Sequence, residues 1–172
     1  MRDGRRPPSG GRRAASVVVG DAALMRAALE QARRAGARGE IPVGAVVAVD
    51  GRIVARAGND SVRRRDPTGH AEVRALRRAA QELGTYRLTE ATIAVTLEPC
   101  IMCMGALVQA RVERLVFGAD DPKAGAAVSL YRVGEDRRLN HRFESTGGVL
   151  GAECGELLRE FFRQRRIDPA SR

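Results

Sequence analysis

The 172-residue chain carries a formal net charge of +9, three cysteines and only 3% aromatic residues. A chain of this length removes about 70% of its unfolded surface from water as one domain without metals or disulfides, so a metal bound here would serve chemistry more than stability. Its apolar runs, such as Ile41 to Val49, fall far short of the roughly 20 residues that cross a bilayer, and three cysteines without repeated spacing argue against a secreted disulfide framework, so a soluble, cytoplasmic protein with no membrane association is expected.

Residues 1–16 come first, rich in Arg, Pro, Gly and Ser without apolar periodicity, and are expected to stay disordered. They hold +4 of the net charge and residues 163–172 hold +3, which leaves +2 for the body of the chain. A solvated basic tail and an RNA-contacting segment account for such ends equally well. The run "AASVVVG" is too short for the apolar centre of a secretory signal, and Pro7, Pro8, Gly10 and Gly11 oppose the amphipathic helix of a transit peptide.

From Asp21, read as an N-cap, Leu24, Met25, Ala28, Leu29 and Ala32 recur at helical spacing to Gly36. The run "GAVVAVDGRIVARAGN" predicts two strands joined by Asp50-Gly51, a pair that accepts the positive φ of a two-residue turn. Next, "DPTGHAEVRALRRAAQELG" predicts a helix with His70 near its start and an apolar stripe of Val73, Leu76, Ala80 and Leu83. The nearly all-apolar "ATIAVTL" reads as a central strand covered on both faces. Pro99 suits the first position of a helix that continues to Ala110. "ERLVFGA" is a further strand, "DDPKAGAAVSLYRVGEDRR" an irregular loop, and Ala152 to Arg165 a last helix. Strands alternating with helices predict an α/β layered domain with the hairpin as its antiparallel edge. The expected division is a basic leader at 1–16, the domain at 17–166 and a short tail at 167–172.

Cys100 and Cys103 in "EPCIMC" lie three positions apart, so one helix face can aim both sulfurs at one point. A helix N-terminus favours thiolate over thiol, the form that binds a borderline cation such as zinc. Zinc takes four protein ligands in a structural centre, or three and an open position for water in a catalytic one. His70, His141 and Cys154 are the candidates to complete the set. Cys154 falls on an apolar stripe with Leu157, Leu158, Phe161 and Phe162 and reads as core, while His141 reads as a surface or capping residue. His70 differs because Glu72 accompanies it. Residues two apart on a helix point in different directions, so His70 suits the metal and Glu72 suits a water molecule at that metal. Two thiolates and a neutral imidazole leave zinc formally neutral and weakly acidifying, which makes a proton-accepting carboxylate valuable. Taken alone, Glu72 would be an ordinary first-turn acid favoured by the helix dipole. The ordered pair "HAE" and "PCIMC" is far more specific than either part, and it matches the H-x-E and P-C-x-x-C signature of the zinc nucleobase deaminases.

From about Ala22 to Arg166 the chain resembles the bacterial tRNA-specific adenosine deaminases, through "EIPVGAVV", "GNDSVRRRDPTGHAEVRAL", "TLEPCIMCMGALVQARVERLVFGADDPKAGAAVSL", "LNHRFE" and "FFRQRR". The resemblance implies a three-layer α/β/α cytidine-deaminase-like fold with a mixed central sheet. It also implies a homodimer, one zinc ion per subunit, and hydrolysis of the wobble adenosine of a tRNA anticodon stem-loop to inosine. It makes His70, Cys100 and Cys103 the zinc ligands and Glu72 the proton shuttle. Asn59 and Asp121 would lie near the nucleoside, Val43 would line the base pocket, and the Ala71 backbone would read the base edge. Without the resemblance, Asn59 and Asp121 would be turn residues and Val43 strand core. With few aromatics to stack bases, recognition falls to one pocket and the backbone, and Arg163, Arg165 and Arg166 are candidate phosphate contacts. Gln109 stands where histidine is frequent in the family, Gly69 where alanine is common, and the arginine-rich leader has no counterpart. Three other readings share some of these residues. A guanine or cytosine deaminase acting on free base or nucleoside has the same metal signature. A non-catalytic, zinc-stabilised RNA-binding module would close its site with His141 or Cys154, and a thioredoxin-like redox pair would use Cys100 and Cys103 alone.

Overall fold

The structure is a computed structural model that describes residues 20–167. The expected leader at 1–16 lies outside the described residues, as does the expected tail apart from Ile167, which is the last residue of the final helix. In chain order the elements are α1 (Asp21–Gly36), β1 (Gly44–Val49), β2 (Arg52–Gly58), α2 (Ser61–Arg64), α3 (Ala71–Leu83), β3 (Ala91–Leu97), α4 (Ile101–Ala110), β4 (Arg114–Ala119), β5 (Glu144–Thr146) and α5 (Gly151–Ile167). Among the described residues, no helix is long and apolar enough to cross a membrane.

The five strands form one mixed sheet in the order β2-β1-β3-β4-β5. β1 runs antiparallel to β2 and β3, while β4 runs parallel to β3 and β5. The nearly all-apolar β3 is central, as a strand covered on both faces must be. Asp50 and Gly51 turn the hairpin with φ of 49° and 72°, the paired positive values that this two-residue connection requires.

Side chains alternate between the two faces of each strand, and the core divides accordingly. Val47, Ile93, Val95, Leu115 and Phe117 pack with residues of α3 and α4, whereas Val46, Ala48, Ala94 and Val116 pack with residues of α1 and α5. The result is the expected three-layer α/β/α sandwich. α1 lies so close to the start of β1 that a Cβ on Gly44 would collide with the Ala28 carbonyl.

Several local expectations are corrected. Asp21 is the first residue of α1 and not its cap, which is Gly20; the Asp21 carboxylate instead pairs with Arg114 of β4. Pro99 precedes α4, and Cys100 takes the cap position. No periodicity announces α2, β5 or the 3-10 turn at Val133–Glu135, because three or four residues are too few to display one.

Candidate metal and catalytic site

The site forms where two helix N-termini converge. Residue Cys100 is extended (φ −73°, ψ 173°) and precedes α4, and residue His70 is extended (φ −70°, ψ 149°) and precedes α3. β3 delivers Cys100 from its carboxyl end, where ligand sites of α/β sheets form. His70 Nδ1 lies 3.6 Å from Cys100 Sγ and 3.5 Å from Cys103 Sγ. The three donor atoms all fall within 4.8 Å of one another.

These separations test whether zinc fits. Tetrahedral zinc with ordinary Zn–N and Zn–S bonds holds a nitrogen and a sulfur about 3.6 Å apart. Both nitrogen-to-sulfur distances match, and one imidazole with two thiols is a donor set that zinc prefers. Among the described residues this is the one group of three or more His, Cys, Asp or Glu side chains arranged to hold a metal.

Electrostatics favour the same use. The Cys103 thiol and His70 donate to Cys100 and hold its pKa down to about 4, which favours its thiolate form. Cys103, the donor and more deeply buried, is pushed far up. The hydrogen bond to Cys100 also raises His70. Glu72, in the first turn of α3, is 4% exposed. Burial raises its pKa above the ordinary carboxylate range, although its own backbone N–H and His70 oppose the shift. Because His70 is extended and not helical, the helix rule for residues two apart does not separate it from Glu72, and both can face one space.

Around this centre the remaining candidates meet different fates. Val43, buried in the core, accepts the Asn59 N–H on its carbonyl at 3.0 Å. Asn59, also buried, accepts the Ala71 N–H on Oδ1 at 2.8 Å. Ala71 is fully buried, and that bond gives its N–H a partner within the protein. Asp121 closes its own loop, accepting the Lys123 and Ala124 amides on Oδ1 at 3.0 and 3.2 Å. Arg163 and Arg166 are exposed on α5 and line a concave groove of about 700 Å³ with Lys123, Arg159 and Phe162. Arg165 shares that groove but stacks on Phe161 at 4.9 Å and donates to the Gly39 carbonyl at 2.9 Å.

Neither rival ligand joins the site. Cys154 packs with the core residues of α1 on the opposite face of the sheet, and burial pushes its pKa up to about 11. His141 donates from Nε2 to the Val112 carbonyl at 2.7 Å.

One organising residue has no distinctive pattern in the sequence. Glu98, 2% exposed at the end of β3, accepts the amides of Asp121, Ala127, Val128 and Ser129 at 2.8–3.0 Å and the Ser129 hydroxyl as well. It stitches the 121–129 loop to the segment that carries Cys100, and the Ala126 amide bonds the Pro99 carbonyl at 2.8 Å beside it. A Cβ on Gly125 would strike the Glu98 carboxylate, so a glycine is required for this approach. Desolvation pushes Glu98 up, but its hydroxyl and amide donors outweigh burial and hold it below the ordinary carboxylate range. The available signal was a charge interrupting an otherwise apolar strand end just before Pro-Cys.

The MafB19-like deaminase profile matches residues 19–166. The chain is 50% identical over 147 residues to the tRNA-specific adenosine deaminase of Haemophilus influenzae, covering 85% of each. A solved structure from work on A-to-I editing by tRNA:A34 deaminases at the wobble position of transfer RNA is similar, with a TM-score of 0.76 and 44% identity over 78% of this chain and 98% of that one. A guanine deaminase from Nitrosomonas europaea shares the fold at a TM-score of 0.70 and 27% identity, over 84% of this chain and 86% of that one.

Proposed function

The chain belongs to the MafB19-like deaminase family and to the tRNA-specific adenosine deaminases, and on that premise we propose that it hydrolyses the wobble adenosine of a tRNA anticodon to inosine with one zinc ion per subunit. The observation that carries this reading is the triangle of His70, Cys100 and Cys103 with the buried Glu72 carboxylate beside it. His70, Cys100 and Cys103 would hold the metal. When bound there, zinc supplies an acidified water molecule as the nucleophile.

Glu72 would accept a proton from the attacking water, pass it to N1 of the adenine ring, and later deliver a proton to the departing amine. A C6–O bond forms and the C6–N6 bond breaks, so adenosine and water become inosine and ammonia. The raised pKa of Glu72 suits both directions of transfer, since a carboxyl nearer neutrality gives back a proton more readily than an exposed one. Asn59 fixes the start of α3 through Ala71, and that bond supports its placement at the nucleoside. Val43 and Asp121 complete the surroundings of the base and ribose in this reading. An anticodon loop offers a splayed adenine to such a pocket, and Arg163, Arg165 and Arg166 would meet phosphates along the groove on α5.

A homodimer belongs to the same reading. Ile101 and Tyr131 are exposed together in one depression at the start of α4, a surface that a second copy could cover. A tRNA substrate and three free thiols suit the cytoplasm.

The deciding experiment offers the zinc-loaded protein an anticodon stem-loop, free adenosine, guanine and cytosine. Inosine in the stem-loop is the expected product. Turnover of guanine or cytosine alone would transfer the assignment to the small-molecule deaminases.

A further inference from the structure

We infer that Arg63 and Arg64 form a rigid phosphate clamp for the RNA backbone beside the site, an inference that rests on the tRNA-deaminase reading. The reasoning starts at Asp60, whose side chain is only 1% exposed. Arg63 donates to it from Nε and Nη2 at 2.8 and 2.9 Å, Arg64 from Nε at 2.6 Å, and Arg74 Nη2 lies 3.0 Å away. A buried carboxylate needs one cation to balance it, and Arg74 of α3, itself 13% exposed, is that cation. Guanidiniums do not lose their charge, so Arg63 and Arg64 give the cluster one positive charge beyond what Asp60 and the neighbouring buried Glu40 carboxylate balance. Both arginines are at the surface, with the Arg63 and Arg64 side chains 59% and 58% exposed.

Their immobility is the second observation. Asp60 grips each guanidinium along its Nε side, while so much exposed area leaves the rest of the fork toward solvent. The buried Glu40 carboxylate accepts the Val62 and Arg63 amides at 3.1 and 2.8 Å and pins the first turn of α2. Two long side chains are therefore ordered before a partner arrives, which lowers the entropic cost of binding and suits the planar recognition of phosphate oxygens.

Position supplies the third. Asp60 follows Asn59, whose side chain bonds the amide between His70 and Glu72, and the Asp60 N–H bonds the Gly69 carbonyl at 3.0 Å. The clamp thus stands on the same loop that delivers His70. Arg38 and Arg78 act electrostatically on Arg74, and Arg77 on Asp66, so positive charge continues away from the clamp. An RNA strand that inserts its adenine at the site carries a phosphate on every neighbouring nucleotide, the partner such a surface fits.

The test compares the zinc-loaded full chain with its Arg63→Gln/Arg64→Gln variant on an anticodon stem-loop bearing a wobble adenosine. Affinity is measured across a salt series, and deamination under single turnover. The variant is expected to bind about 10-fold more weakly, with a slope of log affinity against log salt shallower by roughly 1.5, while the rate at saturating RNA changes less than about 2-fold. An Arg26→Gln/Arg87→Gln variant with the same net charge should keep the wild-type slope. If the double variant does not fold, Arg64→Gln alone leaves the paired Arg63 bonds to Asp60 and should show about half the change in slope. An unchanged slope, an equal loss in the charge-matched control, or a fall in saturated rate alone would each overturn the clamp. Failure of the wild type to deaminate the stem-loop would overturn the tRNA reading, and the clamp with it.

Discussion

Glu72 and Glu98 are both buried carboxylates at the same end of the sheet, yet their surroundings treat them oppositely. Glu98 meets four amides and a hydroxyl, and that company holds it ionised. Glu72 lies at the start of α3 where desolvation dominates, and its proton is held more tightly than in water. Burial alone therefore does not decide what a carboxylate does. The balance of donors against desolvation does: an acid with many donors becomes a structural anchor, and one with few is left able to exchange protons.

The largest effect should come from the proposed metal ligands beside Glu72. His70→Ala or Cys103→Ser is expected to bring bound zinc near zero and deamination to background, read by metal analysis and inosine formation. Next, Glu72→Gln should retain zinc while the single-turnover rate falls by about 10²–10⁴-fold. In the metal-free protein, Glu72→Gln should also leave the fold at least as stable at neutral pH. The sign follows from a folded pKa raised above the unfolded one, which makes ionisation of Glu72 a destabilising event as pH rises past the unfolded value. A clear loss of thermal stability in that variant would erase the contrast with Glu98.

Glu98→Ala should lower unfolding free energy by about 3 kcal/mol, since it strands several buried amide donors, and urea denaturation measures it. Glu98→Gln sharpens the point through pH. Glu98 has a folded pKa below its unfolded one, so its advantage over Gln is complete above about pH 4.3 and shrinks as pH falls through the folded value. A gap in urea midpoint that stayed constant into acid would contradict the anchor. The smallest effect is expected outside both regions, where Cys154→Ser puts a hydroxyl into the apolar layer under α5 and should cost about 1–2 kcal/mol with zinc content unchanged.

The legibility of these two regions differs for a physical reason. Cys100 and Cys103 announce themselves because two cysteines three positions apart directly after a proline form a compact ligand pattern, even though Cys100 caps α4 from outside the helix. Asp60 and Glu98 give no such warning. Glu98 bonds residues 23 to 31 positions further along the chain, and Asp60 needs Arg74 from another helix before its burial makes sense. Cys154 and His141 were separable from the site by pattern alone, because an apolar stripe and a polar neighbourhood each leave a short-range trace. The bond from the Ala71 amide to Asn59 Oδ1 left no trace in the sequence, since only the folded hairpin brings the two together.

What the amino-acid order determined by itself is periodic or local. The central position of β3 follows from a nearly all-apolar run, the hairpin turn from Asp50-Gly51, and the chemical class from "HAE" followed by "PCIMC". Tertiary structure alone decided which donors each buried acid receives, how near His70 comes to the sulfurs, and that Arg63 and Arg64 share one hidden carboxylate. Those outcomes depend on distances between residues far apart in the chain, and a buried charge takes its energy from all its neighbours at once.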